Sequence, residues 1–225
     1  MSASRAQHRR FQDRRDAGRK LAGVLRASRT APPLVLGLAR GGIVVADEVA
    51  KALGAPLDVM VVRKVGAPAQ PEMAVGALAP DVLVLDPRVD RDHPQIRERI
   101  QAETVELYRR LRRYRGVEAE PEVAGRDVIL VDDGLATGRT ARAAVRALRG
   151  GGARHITLAV PVGAPDAVDE LEADVDVLVC LYQPASFFAV GEWYDHFTPV
   201  SDDEVVRILS AAQQRSTEAG TEPGE

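Results

Sequence analysis

A chain of 225 residues that is 45% hydrophobic can bury one large core, and its net charge of −3, spread over interleaved acids and bases, gives no reason to invoke bulk binding to nucleic acid. The single cysteine, Cys180, excludes an intrachain disulfide; within the apolar run Val177-Leu178-Val179-Cys180-Leu181 it reads as a buried structural thiol and fits a reducing cytoplasm. The basic N-terminus (Arg5, Arg9, Arg10, Arg14, Arg15) has no apolar stretch for secretion, and no later run is long enough to span a bilayer, so a cytoplasmic protein with no membrane partner is expected.

Along the chain, Ala17, Leu21 and Leu25 give a first helix an apolar stripe, and Pro32-Pro33 leads into a strand over 34–38. Ile43, Ala46, Ala50 and Leu53 mark a second helix, followed by a strand over 57–62. The glycine and two prolines of Val62-Arg63-Lys64-Val65-Gly66-Ala67-Pro68-Ala69-Gln70-Pro71-Glu72 predict a mobile loop that begins with two cations. Residues 73–78 and 82–86, separated by Ala79-Pro80-Asp81, read as a hairpin. Ile96, Ile100, Leu107 and Leu111 then define a long helix in which Glu98, Glu103 and Glu106 lead and Arg109, Arg110, Arg112 and Arg113 trail, as the helix dipole favours; the acids neutralise the basic patch, so a solvated face or subunit contact is expected rather than a nucleic-acid surface.

Strands over 128–131, 156–160 and 175–181 complete the pattern. Short apolar strands alternating with helices predict an α/β fold, a parallel sheet with helices on both faces, whose ligands bind beyond the carboxyl ends of the strands. Arg40, Arg63 and Asp132 each follow a predicted strand. Residues 216–225 lack apolar side chains other than Ala219 and are expected to form a disordered tail behind a single domain over 1–215.

The most informative stretch is Val128-Ile129-Leu130-Val131-Asp132-Asp133-Gly134-Leu135-Ala136-Thr137-Gly138-Arg139-Thr140. A doubly buried strand ends in two carboxylates able to accept hydrogen bonds from vicinal sugar hydroxyls. Gly134 and Gly138 let main-chain N–H groups converge on an anion, Thr137 and Thr140 add hydroxyls, and Ala141, Ala144, Val145 and Leu148 start a helix with its positive end over the loop. The plainer alternative is a strand ending in an acidic turn before a helix.

This stretch resembles the signature loop of the type I phosphoribosyltransferases, which use phosphoribosyl pyrophosphate (PRPP). The resemblance implies that Asp132 and Asp133 hold the ribose and that Thr137, Gly138, Arg139 and Thr140 cup the 5′-phosphate, with Gly134, Leu135 and Ala136 completing the PRPP-binding loop; Gly134 stands where an aliphatic residue is usual, which suggests a more flexible loop. It also implies a pyrophosphate loop at Gly37-Leu38-Ala39-Arg40-Gly41-Gly42, with Arg40 as a planar donor fork and Gly41 and Gly42 allowing close backbone approach. Arg63 and Lys64 would meet the pyrophosphate under a closing loop. Together with Phe11-x-Asp13-Arg14-x-x-Ala17-Gly18 and Val190-Gly191-Glu192-Trp193-Tyr194, these motifs resemble a bacterial subgroup of unsettled acceptor, over nearly the whole chain.

The resemblance further implies an acceptor hood built from the N-terminal helix and residues 184–200, where Phe187, Phe188, Trp193, Tyr194 and Phe197 gather; Phe188, Trp193 or Tyr194 could stack on a planar base or simply pack together. Ala136 stands where 6-oxopurine enzymes carry an aspartate that handles the ring nitrogen. The acceptor is therefore expected to be adenine-like or not a purine, with Glu72 the candidate for facing it. Magnesium would arrive with PRPP; no protein metal site is expected, and His196 has no second histidine nearby. A homo-oligomer acting on PRPP and a small-molecule acceptor is the expected form. The chief rival is a non-catalytic PRPP- or nucleotide-binding regulator of the same fold, which has less need of Arg40, the Arg63-Lys64 pair and a closing loop. A hydrolase, kinase or Rossmann dinucleotide site lacks its motifs here.

Overall fold

The apolar runs become strands covered on both faces. The computed structural model describes residues 10–25, 32–68, 70, 73–116 and 122–219. In chain order its elements are α1 (Arg14–Leu25), β1 (Leu34–Leu38), α2 (Gly41–Leu53), β2 (Leu57–Met60), β3 (Arg63–Gly66), β4 (Ala74–Ala79), β5 (Val82–Leu85), α3 (Pro94–Arg115), β6 (Asp127–Val131), α4 (Arg139–Gly150), β7 (His155–Val162), α5 (Pro165–Glu172), β8 (Val177–Tyr182), a 3-10 turn (Val190–Trp193) and α6 (Asp202–Ala219). The fold is α/β, as its alternating pattern implies.

Five strands pair in parallel in the order β2-β1-β6-β7-β8. Alternate side chains of each strand face opposite layers. Leu34, Leu36, Leu130 and Leu158 meet Ala144, Val145 and Leu148 of α4 and Val168 and Leu171 of α5, whereas Val35, Ile129, Val131 and Ala159 meet Leu21 of α1 and Val45 and Val49 of α2. The chain leaves β1 toward β2 on one side and later returns as β6 on the other. The strand order thus reverses between β1 and β6, the point beyond whose carboxyl ends sheets of this kind bind ligands.

Strands β3, β4 and β5 form a separate antiparallel sheet. The hairpin of β4 and β5 is as expected, with Asp81 at φ 56° in its turn. The segment from Arg63 is a correction, because Arg63–Gly66 is a strand and not the start of a loop. Val65 is fully buried against the layer containing Leu78, Leu107 and Leu111, and pairing with β4 outweighs the weak strand preference of Gly66, where the register shifts. The turn beyond it is closed by hydrogen bonds from Ala67 N to Met73 O at 2.8 Å and from Met73 N to Gln70 O at 2.9 Å.

The C-terminal boundary also differs. Residues 216–219 continue α6, with Ser216 and Thr217 hydroxyls donating to the carbonyls of Ala212 and Gln213. Val205, Ile208 and Ala212 bury one face of this helix, and Arg215 reaches the buried Asp47 of α2 at 2.8 Å, so its anchoring carries the helix beyond Ala212. Residues 220–225, like Arg5 and Arg9, lie outside the described residues. No described helix is long and apolar enough to cross a membrane.

Candidate functional site

Two strand ends meet where the strand order reverses. At the end of β1, Ala39 donates to Met60 O at 2.9 Å, the Ala39-Arg40 peptide is cis, and α2 begins at Gly41. At the end of β6, Asp132 and Asp133 follow without a break. The two glycines of the first end are packed into the acids of the second: a Cβ at Gly41 would lie 1.9 Å from Asp133 Oδ2, and one at Gly42 2.6 Å from Val131 O and 2.9 Å from Asp132 Cα. The glycines therefore admit the acidic loop itself.

Both carboxylates are partly buried. Asp132 Oδ1 accepts a hydrogen bond from Asp133 N at 2.8 Å. Burial, and next to it the charge of Asp133, pushes the Asp132 carboxyl well above the usual carboxylate range. Burial also raises Asp133, against the opposing pull of Arg14, whose Nε donates to Asp133 Oδ2 at 2.8 Å. The hydroxyl of Tyr194 donates to Asp133 O at 2.6 Å.

Along the rest of the loop, roles divide. Leu135 is buried in the core, and its main chain is tied to the end of β7 through Val162 O and Ala164 N. Gly134 is filled in by a neighbour: a Cβ there would lie 2.7 Å from a methyl of Val190 and 3.1 Å from one of Val162. Close packing, rather than loop flexibility, accounts for the glycine. Gly138 has φ +66° and caps α4, a conformation that favours glycine. Ala136 and Thr137 are exposed and Thr140 is partly so. Arg139 turns outward, its Nη1 donating to Ala74 O at the start of β4. Between this loop and the hairpin lies a cleft of about 460 Å³ lined by Ala136, Thr137, Arg139, Val75, Val84 and Asp86 among others.

The three expected cations are not equivalent. Arg40 stands 3.6 Å from Asp202 at the start of α6, and Arg63 donates to Glu103 of α3 at 2.8 Å. Tyr114 also donates to Asp202 at 2.7 Å; that hydrogen bond, helped by the charge of Arg113, holds Asp202 below the usual carboxylate range, while burial and Asp202 push Tyr114 up to about 12. Lys64 is exposed on β3. Glu72 lies outside the described residues.

The aromatic segment reaches the loop through one residue of the expected three. Tyr194 is 3% exposed, packed with Phe11, Ala17 and Val162, so its ring is core and has no free face for a base. Trp193 packs partly against the same cluster, and its Nε1 is buried with no hydrogen-bond partner among the described residues. Phe188 is 83% exposed. The N-terminal segment joins this region by main-chain bonds from Phe11 N to Trp193 O, Asp195 N to Phe11 O and His196 N to Gln12 O. Arg14, which meets Asp133, was legible only as part of a motif without an assigned role. No cluster of three or more metal-ligating side chains occurs among the described residues. Cys180 is partly buried, its thiol pushed up to about 11 by burial, in keeping with a structural role.

Residues 10–196 match the family model described as a phosphoribosyl transferase domain. A Mycobacterium tuberculosis protein that carries a provisional phosphoribosyl transferase name is 47% identical over 215 residues, 93% of this chain and 48% of that protein, so the chain spans about half the length of this curated relative. A uracil phosphoribosyltransferase of Lactobacillus gasseri is 47% identical over 60 residues, 25% of this chain and 29% of its own. A solved structure from Thermus thermophilus is 46% identical and superposes with a TM-score of 0.78 over 89% of this chain and 97% of its own.

Proposed function

Because the chain belongs to the phosphoribosyl transferase family, we propose that it transfers the 5-phosphoribosyl group of PRPP to a nitrogenous base or similar acceptor, with release of pyrophosphate. The observation that carries this reading is the interlocking of Asp132 and Asp133 with Gly41 and Gly42 at the point where the strand order reverses. Carboxylates on one strand end and a glycine turn on the other suit a ligand with hydroxyls at one edge and phosphates at both ends.

In the transfer, a bond forms between an acceptor nitrogen and the anomeric carbon while the bond from that carbon to the pyrophosphate oxygen breaks, the electron pair leaving with pyrophosphate. Asp132 and Asp133 would accept the ribose hydroxyls. The loop from Gly134 to Thr140 would hold the 5′-phosphate on main-chain N–H groups at the start of α4, and Arg40, Arg63 and Lys64 would stabilise charge growing on the leaving group. Magnesium would arrive with PRPP, held mainly through the pyrophosphate oxygens. Such an ion would neutralise charge between pyrophosphate and ribose.

For the acceptor, Ala136 offers no proton-exchanging group at the position before Thr137. That supports an adenine-like or non-purine acceptor, and the short likeness to a uracil enzyme supports placing pyrimidines in the screen. Titration calorimetry with PRPP and Mg²⁺, followed by assay of pyrophosphate release with adenine, uracil, hypoxanthine and guanine, tests the proposal. PRPP binding with release driven by adenine or uracil is expected. Absence of binding overturns the class, and efficient use of hypoxanthine or guanine overturns the acceptor reading.

The engagement of Arg40 by Asp202 and of Arg63 by Glu103 supports a second reading, a PRPP-binding regulator in which two of the three expected leaving-group cations are committed internally. PRPP binding without turnover on any acceptor would favour it.

A further inference from the structure

The pattern Phe11-x-Asp13-Arg14-x-x-Ala17-Gly18 takes no part in the chemistry above, yet each residue has a structural job that ends at the acidic loop. Phe11 is fully buried, its ring 5.5 Å from that of Tyr194. Asp13 Oδ1 accepts from Asp16 N at 2.8 Å at the start of α1, Ala17 is fully buried, and Gly18 lets α1 press on α2, since a Cβ there would lie 2.6 Å from Val45 O. These contacts fix the one residue of the pattern that points at the site.

Arg14 is 9% exposed. Its guanidinium is fully committed in direction: Nε donates to Asp133 Oδ2 at 2.8 Å, Nη1 donates to Thr198 O at 2.8 Å, and Cζ sits 3.8 Å above the ring of Phe197. A buried ion pair gives little net stability over apolar packing, so stability alone is a weak reason for placing an arginine here. Its geometric effect is specific. With Oδ2 held by Arg14 Nε and set against Gly41, the Asp133 carboxylate is fixed in orientation beside Asp132.

We propose that Arg14 is a positioning residue for phosphoribosyl transfer, orienting the Asp133 carboxylate toward the ribose and making that orientation depend on the segment from Trp193 to Thr198. The inference rests on the ribose role proposed for Asp133. It means that the aromatic segment and the ribose site are mechanically one unit, since displacing Phe197 or Thr198 releases the guanidinium that holds the acid.

The charges around the pair favour this role. Asp132 is the neighbouring anion, Tyr194 donates only to the Asp133 carbonyl, and Gly41 of α2 presents backbone; Asp13, Arg15, His196 and Glu204 line, with Arg14, a cavity of about 210 Å³. Arg14 is the cation that opposes protonation of both acids. Without it, two adjacent carboxylates would gain protons at higher pH and lose their acceptor strength.

The test uses the full chain and the variants Arg14→Gln and Arg14→Lys, titrated with PRPP plus Mg²⁺ and separately with magnesium pyrophosphate, as a function of pH. Arg14→Gln is expected to weaken PRPP binding roughly tenfold or more and to move the acid limb of binding upward by about one pH unit, with pyrophosphate affinity unchanged. Arg14→Lys, which keeps the charge without the fork, should retain the wild-type acid limb and recover part of the affinity. Carbon-13 carboxyl NMR of the ligand-free proteins should show Asp133 titrating at higher pH in Arg14→Gln. Wild-type affinity and pH profile in Arg14→Gln, or an unmoved Asp133 resonance, overturns this inference alone. A wild-type protein that binds no PRPP overturns the ribose role and this inference with it. Should Arg14→Gln not fold, the Arg14→Lys profile and its Asp133 titration decide the matter.

Discussion

Gly41 and Asp133 pack so closely that a Cβ on Gly41 would stand 1.9 Å from Asp133 Oδ2 as it is placed, the oxygen that also receives Arg14 Nε at 2.8 Å. The contact brings α1, α2 and the β6 loop together at one atom, although the three come from distant parts of the chain. Several outcomes follow from which kind of atom each neighbouring group would displace.

Gly41→Ala should act on binding and Gly42→Ala on folding. At 41 the obstructing atoms belong to a carboxylate that can swing away, which breaks its pair with Arg14, so a loss of PRPP affinity of about tenfold with little change in melting is expected. At 42 the obstruction is main chain, Val131 O at 2.6 Å, and a destabilisation of about 1–3 kcal/mol is expected. Calorimetry and thermal melts of the two variants separate the effects; equal melting losses would refute the distinction.

Asp132→Asn with Asp133→Asn should abolish PRPP binding while melting at or above the wild-type temperature. Burial raises both carboxyls above their unfolded values, so the folded state binds protons more tightly and the stability this contributes is lost as pH rises through the folded range. At neutral pH the buried pair therefore costs stability. Neutral amides should relieve that cost, each kcal/mol recovered raising the melting temperature by about 2–4 °C, and the gain should vanish in acid. A double variant that melts well below wild type at neutral pH, or still binds PRPP, contradicts this account.

Gly134→Ala should destabilise the fold by about 1–3 kcal/mol, because the added methyl meets Val190 at 2.7 Å. Val190→Ala removes the obstructing methyls, so the double variant should recover part of the loss. Thermal melts of all four proteins form a double-mutant cycle, and strict additivity would show that the two positions do not compete for the same space.

Arg40→Ala and Lys64→Ala are expected to lower kcat by at least about tenfold while ribose 5-phosphate affinity barely changes, since both charges would act on the departing pyrophosphate. Arg40→Ala also frees Asp202 from a cation 3.6 Å away, but Arg113 and Tyr114 remain on that carboxylate, so melting should be nearly unaffected. Parallel losses of fragment affinity and kcat would assign the two residues to general phosphate binding.

The parallel sheet, the hairpin and the acidic loop were legible in the sequence because their signals are local. A run such as Val128-Ile129-Leu130-Val131 leaves no face for water, and carboxylates and glycines directly after it have only the carboxyl edge of the sheet to occupy. Local rules misread Arg63–Gly66, where glycine and nearby prolines suggested a loop but pairing with β4 and burial of Val65 make a strand. They also stopped short at residue 216, where the Arg215 contact with Asp47 and the buried face of α6 extend the helix.

By itself the sequence determined the alternation of helices with parallel strands, the placement of Arg40, the Gly41-Gly42 turn and Asp132-Asp133 at strand ends on one edge of the sheet, and the resemblance to one family. Only the tertiary structure decided what those residues touch. Arg14 meets Asp133 from 119 positions away, Val190 fills the space beside Gly134, and Tyr194 spends its ring on the core and its hydroxyl on the Asp133 carbonyl. Periodicity records which way a side chain faces within its own element; which distant atom it then meets depends on how the elements pack, and here that packing orients Asp133 and pushes both carboxyls upward.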